Sequence, residues 1–120
     1  AGLGDDVVDN RIAACEQLGH FNVPLAVLTL SQVVNDIEPT VRFAAIAATA
    51  QTGHSDAIAV LTGLLEDPER DVRLAAVAGL RDLGLAAAIP QIEQNIARDP
   101  DPTTQQAQQE LVDYLRANGQ

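Results

Sequence analysis

The sequence predicts an all-α fold, an α-solenoid of antiparallel helix pairs stacked at a period of about 31 residues. Three observations predict it. Arg11, Arg42 and Arg73 stand 31 residues apart, and each opens an alanine-rich run: Ile12-Ala13-Ala14-Cys15, Phe43-Ala44-Ala45-Ile46 and Leu74-Ala75-Ala76-Val77. The register then persists through the unit. Asn22, Gly53 and Gly84 lie eleven residues after each arginine, and Leu30, Leu61 and Ile92 nineteen after. Composition agrees: 47% of the residues are hydrophobic, yet 20 Ala face only 2 Phe, 1 Tyr and no Trp or Met. A core of such small side chains requires helices whose backbones approach closely.

Each unit reads as two helices. In the first, apolar slots fall one residue before the arginine and three, seven and ten after it. In the third unit these are Val72, Ala76, Leu80 and Leu83, one helical face. Gly53 and Gly84 suit the left-handed residue at a helix C-terminus, and Asn22 is expected to do the same in the first unit. The second helix carries Val27, Leu30 and Val34, then Ile58, Leu61 and Leu65, then Ile89, Ile92 and Ile96, and ends before Asp36, Asp67 or Asp99. Pro39, Pro68, Pro100 and Pro102 mark the connections. Ser55-Asp56 reads as a helix start, and Pro90 belongs in the first turns of its helix or kinks it. Thr49 and Thr52 take slots filled elsewhere by Leu18, Leu80, Phe21 and Leu83, so their hydroxyls are expected to bond back to the preceding turn.

The units therefore span about 5–35, 36–66 and 67–98. A partial copy from Asp99 gives a capping helix at about 102–117, with Gln105 in the arginine slot. Gln105, Gln106, Gln108, Gln109 and Glu110 make that helix polar, as an outer face in water requires. The N-terminal end is greasier, with Val7, Val8 and Ile12. Further repeats, a partner or end-to-end association of copies are each expected to suit it. The chain starts at Ala1 without Met, which fits a fragment or a processed chain.

The pattern Asp67-Pro68-x-x-Asp71-Val72-Arg73-x-Ala75-Ala76, with Leu83-Gly84 and Ile89-Pro90-x-Ile92, resembles HEAT-like repeats of the phycobilisome-lyase type. Val41-Arg42-x-Ala44-Ala45 with Gly53 matches the same motif, and Arg11-x-Ala13-Ala14 with Leu18-Gly19 matches it more loosely. The resemblance runs from about Asp5 to Leu115. It implies a right-handed superhelix and a ladder between stacked units made by Arg11, Arg42, Arg73, Asp9 and Asp71. Thr40 and Thr104 stand where the motif has Asp, and Gln105 where it has Arg, so the ladder is incomplete. By analogy with this repeat class the second helices line the concave side, which makes Thr29, Gln32, Thr62, Gln91, Glu93 and Gln94 the candidate partner surface. Arg70, Arg81, Arg98, Phe21 and Tyr114 are further candidates for a contact centre. Proteins with such repeats include interaction scaffolds, bilin-lyase subunits that act on a tetrapyrrole and a phycobiliprotein cysteine, and regulatory accessory domains of enzymes. Some HEAT-like hydroxylases bind iron through His-Glu pairs, but His20 precedes Phe21 and His54 precedes Ser55.

The remaining chemistry narrows the choice. Seventeen acids against seven Arg, with no Lys, give a net charge of −10, which opposes binding to a phosphate backbone. No apolar run reaches the length of a membrane span and no signal-peptide pattern is present, so a cytoplasmic location is expected. One Cys excludes an internal disulfide and a Cys-based metal site. Cys15 shares its slot with Ile46 and Val77 and reads as core. His20 and His54 fall at turns. No calcium loop appears. Asp36, Glu38, Asp67, Glu69, Asp99 and Asp101 gather at the connections, with Asp5 and Asp6 at the first. They form an acidic edge that either caps helices or steers a basic partner. No catalytic constellation appears and no cofactor is expected. The preferred reading is a non-catalytic protein-interaction or scaffold module whose partner is another protein.

Overall fold

A computed structural model gives the structure, describing residues 3–120 with side chains from Val7 onward. The Asp5 and Asp6 carboxylates lie outside that description. All regular structure among the described residues is helical: α1 (Leu3–Leu18), α2 (Pro24–Val33), α3 (Pro39–Gln51), α4 (Ala57–Leu64), α5 (Arg70–Leu83), α6 (Ile89–Arg98) and α7 (Pro102–Asn118). A short 3-10 turn at Ala86–Ala88 leads into α6.

The local chemistry explains the boundaries. Proline occupies one of the first two positions of α2, α3, α6 and α7, where its missing N–H costs nothing. Pro90 is thus a helix start, without a kink. Gly53 and Gly84 take φ of 68° and 67° after α3 and α5. Asn22 does not: no non-glycine residue among those described has positive φ. The first hairpin instead tightens through His20 N–H to Gln17 O at 3.2 Å and Phe21 N–H to Leu18 O at 3.1 Å, then runs extended through Val23. Thr49 Oγ1 donates to Ala45 O and Thr52 Oγ1 to Thr49 O, each at 2.7 Å, so two buried hydroxyls are satisfied inside their own helix.

The first helices α1, α3, α5 and α7 pack side by side, and each second helix packs on the first helix of the following unit. The second helices make little contact with one another. Small residues permit the close approach: a Cβ on Gly19 would stand 3.2 Å from Ala48 Cα, and one on Gly79 3.3 Å from Leu61 Cδ2. One continuous core runs from Cys15 to Leu115 in a body of 44 × 29 × 18 Å. Leu30, Leu61, Leu65, Leu80 and Ile92 are fully buried in it, each stabilising the fold by about 1.5–3 kcal/mol.

The arginine register sorts the first helices into interior and end. The slot three after it is buried at Ala45, Ala76 and Gln108, and the slot ten after it at Thr52, Leu83 and Leu115. In the first unit the same slots, Ala14 on α1 and Phe21 just after it, are exposed, whereas in the later units a second helix packs on the first helix that follows it. The outer face of α7 is polar, as its glutamines require. No helix among the described residues is long and apolar enough to cross a membrane.

Candidate functional site

Every joint between units is built alike. Asp36, Asp67 and Asp99 follow a second helix, and Oδ1 of each accepts the backbone N–H two residues on, from Glu38, Glu69 and Asp101, at 2.9 Å. Each bond satisfies a donor that the incoming first helix cannot pair within itself. The arginine slot then fastens its own helix to that joint. Arg42 Nη1 donates to Asp36 O at 3.0 Å, and Arg73 Nη1 to Asp67 O at 2.8 Å. Gln105 Nε2 donates to Asp99 O in the same way.

The other arm of each arginine reaches the next joint. Arg11 grips Asp36, Arg42 Nη2 reaches Glu69 Oε2 at 3.4 Å, and Arg73 Nη2 reaches Asp101 Oδ2 at 2.9 Å. Asp9 and Asp71, expected as the ladder carboxylates, are exposed and hold no arginine among the described residues. The acids that do so come from the following connection. In α7 the shorter Gln105 makes the bond to its own joint alone.

This arrangement redefines the acidic edge. Asp36 lies below the usual carboxylate range, chiefly through the Glu38 N–H, with Arg11 adding to it. Asp101 is lowered to about 2, first by Arg70, whose Nε stands 2.7 Å from it, and then by the Thr103 N–H and Arg73. Asp99 is buried. Its Oδ2 accepts Thr104 Oγ1 at 2.6 Å and Gln108 Nε2 at 2.7 Å, while Gln108 Oε1 accepts Asn95 Nδ2 at 2.8 Å. Asp67 spends Oδ1 on its own joint, and only Glu38 is exposed with no arginine among the described residues. Most of the edge carboxylates are thus engaged in fastening the joints, while Glu38 and Glu69 remain exposed.

Other candidates resolve similarly. Cys15 is 2% exposed, and burial, reinforced by Asp36 and Glu16, pushes its thiol pKa up, which disfavours the thiolate. His54 Nδ1 accepts the Asp56 N–H at 3.0 Å and so shapes the turn before α4. No group of three or more His, Cys, Asp or Glu among the described residues is placed to hold a metal. Arg98 pairs with Glu66 at 2.9 Å and Arg116 with Glu93 at 2.7 Å, and Arg81 lies 4.1 Å from the Tyr114 ring centroid. Every arginine is thus engaged within the described residues.

The open surface is the face of the second helices. Because they stand apart, grooves form between them. The α4–α6 groove, about 560 Å³, is lined by Ile58, Ala59, Thr62, Gly63, Gln91 and Asn95, and passes Glu66 and Arg98 into a cleft of about 420 Å³ over the Asp67 and Asp99 joints. Between α2 and α4 a smaller groove of about 200 Å³ is lined by Pro24, Val27, Leu28, Ser31, Asp56 and Val60.

Of the expected partner surface, Thr62 and Gln91 line the larger groove. Gln32 and Gln94 are exposed beside these helices, and Thr29 Oγ1 is turned to Leu25 O at 2.9 Å. Glu93 belongs to the α7 side through Arg116. Two residues escaped the sequence reading, Leu25 at 69% and Leu28 at 58% exposed. Fourteen and seventeen residues after the arginine, other units carry Asp56 and Ala87, then Ala59 and Pro90. Leucine in outward slots that are otherwise small or polar was the available signal.

The family model described as HEAT repeats matches residues 1–81 and, in an overlapping match, residues 38–112. No curated protein matches the chain.

Proposed function

Because this chain belongs to the HEAT-repeat family, we propose that it is a non-catalytic protein-interaction module whose contact surface is the face of α2, α4 and α6. HEAT repeats generally serve as interaction and scaffold modules, and stacked repeats offer extended surfaces for that purpose. The observation that carries the reading is the pair Leu25 and Leu28. They project from α2, a helix without a charged residue, beside a groove floored by Val27 and Val60. Two aliphatic anchors next to a groove, continued by the neutral polar Thr62 and Gln91, suit a partner segment that buries apolar side chains at one end and hydrogen-bonds at the other.

The test compares affinity capture by the chain and by a Leu25→Asp/Leu28→Asp variant, with proteins identified by mass spectrometry and then titrated at low and high salt. Both positions are exposed, so the variant is expected to melt like the parent. A protein bound by the parent and lost by the variant at either salt supports the reading. If no captured protein distinguishes the two chains, it fails. The finer likeness to the phycobilisome-lyase type of repeat rests on the motif around Asp67 and Arg73. A bilin titration reads it: new visible absorbance would move the chain to the lyase-subunit alternative.

A further inference from the structure

We propose that the α4–α6 groove and the cleft beyond it take an extended segment of a partner protein and seat one of its arginine side chains at Asn95, Glu66 and Asp67. The inference rests on reading this face as a protein-contact surface and names what the partner must bring. Asn95 is the central residue. Its slot, twenty-two residues after the arginine, holds Val33 and Leu64 in the other units, so an amide here replaces an aliphatic side chain. It is 4% exposed, yet it lines both cavities. Its neighbours fix which way the amide points. The Asp99 carboxylate only accepts, so it turns Gln108 Nε2 toward itself, and Gln108 Oε1 is left to take Asn95 Nδ2. Asn95 Nδ2 also reaches Leu65 O at 3.4 Å. Asn95 Oδ1 therefore remains as an acceptor that receives no hydrogen bond among the described residues. The side-chain atoms there that are both sealed from solvent and unpartnered are Arg42 Nε and Arg73 Nε, so Asn95 Oδ1 can be reached from the cavities it lines. A buried amide bonded at one end and bare at the other calls for a donor.

The surroundings select a cation with several donors. Asp67 spends Oδ1 on the Glu69 N–H, and its Oδ2 has no partner among the described residues. Glu66 meets Arg98 through Oε1 alone, in a pair whose side chains are both more than half exposed and easily exchanged. Arg73, the other cation of the cleft, is committed to Asp67 O, Pro68 O and Asp101. Acceptors remain and donors are spent, in a chain of net charge −10. A guanidinium brings a full charge and a planar fork of N–H donors, which neither an ammonium nor an amide does. Gly63 makes room for the segment that carries it. Its slot holds Gln32 and Gln94 in the other units, and a Cβ on it would meet nothing within 4 Å. Glycine weakens a helix interior, and no internal contact requires it here; the bare stretch of α4 lets a partner backbone lie close along the groove.

The test titrates the isotope-labelled full chain with short blocked alanine peptides carrying arginine, citrulline or glutamate at the centre, followed by NMR amide shifts. The arginine peptide is expected to move the Thr62, Gly63 and Asn95 resonances and to saturate with a Kd of about 1 mM or below, weakening at high salt. Citrulline, which keeps the shape without the charge, and glutamate should bind about tenfold more weakly or not at all. Glu66→Gln with Asp67→Asn removes both charges and keeps the Oδ1 acceptor of the joint. Gly63→Gln fills the groove with the side chain of the neighbouring units and should not lower the melting temperature. Each should weaken the arginine peptide about tenfold. Asn95→Ala should do the same, and where it loosens the fold the other two variants decide. Absence of binding by the arginine peptide, shifts confined to another face, equal binding of citrulline or glutamate, or indifference to Gly63→Gln would each overturn the proposal. The broader interaction module stands or falls separately: a protein captured by the parent and lost by Leu25→Asp/Leu28→Asp upholds it even where the arginine peptide leaves α4 and α6 unmoved.

Discussion

Arg11 holds Asp36 with both arms of a fork, Nε to Oδ2 at 3.1 Å and Nη2 to Oδ1 at 3.2 Å, across 25 residues of chain. The same Asp36 oxygen, Oδ1, accepts the Glu38 N–H that begins α3, and the Asp36 carbonyl accepts Arg42. One short connection thereby ties two first helices to each other. The pattern recurs at Asp67 and at Asp99–Asp101 with changed side chains and the same logic.

Acid should loosen these joints. The Asp101 carboxyl sits at about 2 in the fold against an ordinary 3.8. A carboxylate lowered by folding adds stability that is complete above its unfolded pKa and disappears as pH falls through its folded one. The melting temperature is therefore expected to fall between about pH 4 and about pH 2. Asp101→Asn should melt lower than the parent at neutral pH and show a flatter acid limb. Parallel melting curves across that range would refute the assignment.

One slot should respond in opposite ways along the chain. Ala76 is fully buried, so Ala76→Glu places an unpaired carboxylate in the core and should abolish cooperative unfolding. Ala14 occupies the equivalent position and is exposed, so Ala14→Glu should shift stability by no more than about 0.5 kcal/mol. Urea denaturation of both variants reads the difference.

Glycine replacements should split by sign. Gly63 lies inside α4, and a Cβ there meets no atom within 4 Å, so Gly63→Ala should stabilise by about 0.5–1 kcal/mol. Gly84 has φ of +67°, so Gly84→Ala should destabilise by about 1–2 kcal/mol. Denaturant midpoints moving in opposite directions at unchanged slopes would show the split in stability, and midpoints moving together would refute it.

The polar floor beneath α7 should prove structural. Gln108 is fully buried and links Asn95 to Asp99, so Gln108→Leu leaves partners short of bonds and should cost about 1–3 kcal/mol. Gln106→Ala on the exposed face of the same helix should be nearly neutral. Equal losses in chemical denaturation would contradict the network.

Periodic features were legible in the sequence because period and environment coincide. The alanine pairs of α3 and α5, Gly53, Gly84, the helix-starting prolines and the back-bonded Thr49 and Thr52 sit where the 31-residue register places them, and the polar α7 follows one residue late. The details of reach were not. The register puts Arg42 and Arg73 at a joint, but Asp71 and Glu69 are two residues apart and only side-chain geometry decides that Glu69 is gripped. Asn22 fails as a left-handed cap because the first hairpin closes through 3-10 bonds, which no residue type announces. Leu25 and Leu28 extend an apolar stretch, so hydrophobicity alone sends them inward. Only their counterparts Asp56 and Ala59 show that those slots look out.

The joints also make the molecule adjustable in length. Among the described residues the arginine slots reach only the connection before their own helix and the one after it, and no hydrogen bond between joints skips a unit. Excising residues 36–66 in register would bring Arg11 to the Asp67 connection at its accustomed distance, and the shortened chain should still fold. Growth or loss by whole units is thus an easy evolutionary step for this architecture, whereas a shift of a few residues within a unit would undo every fastening downstream.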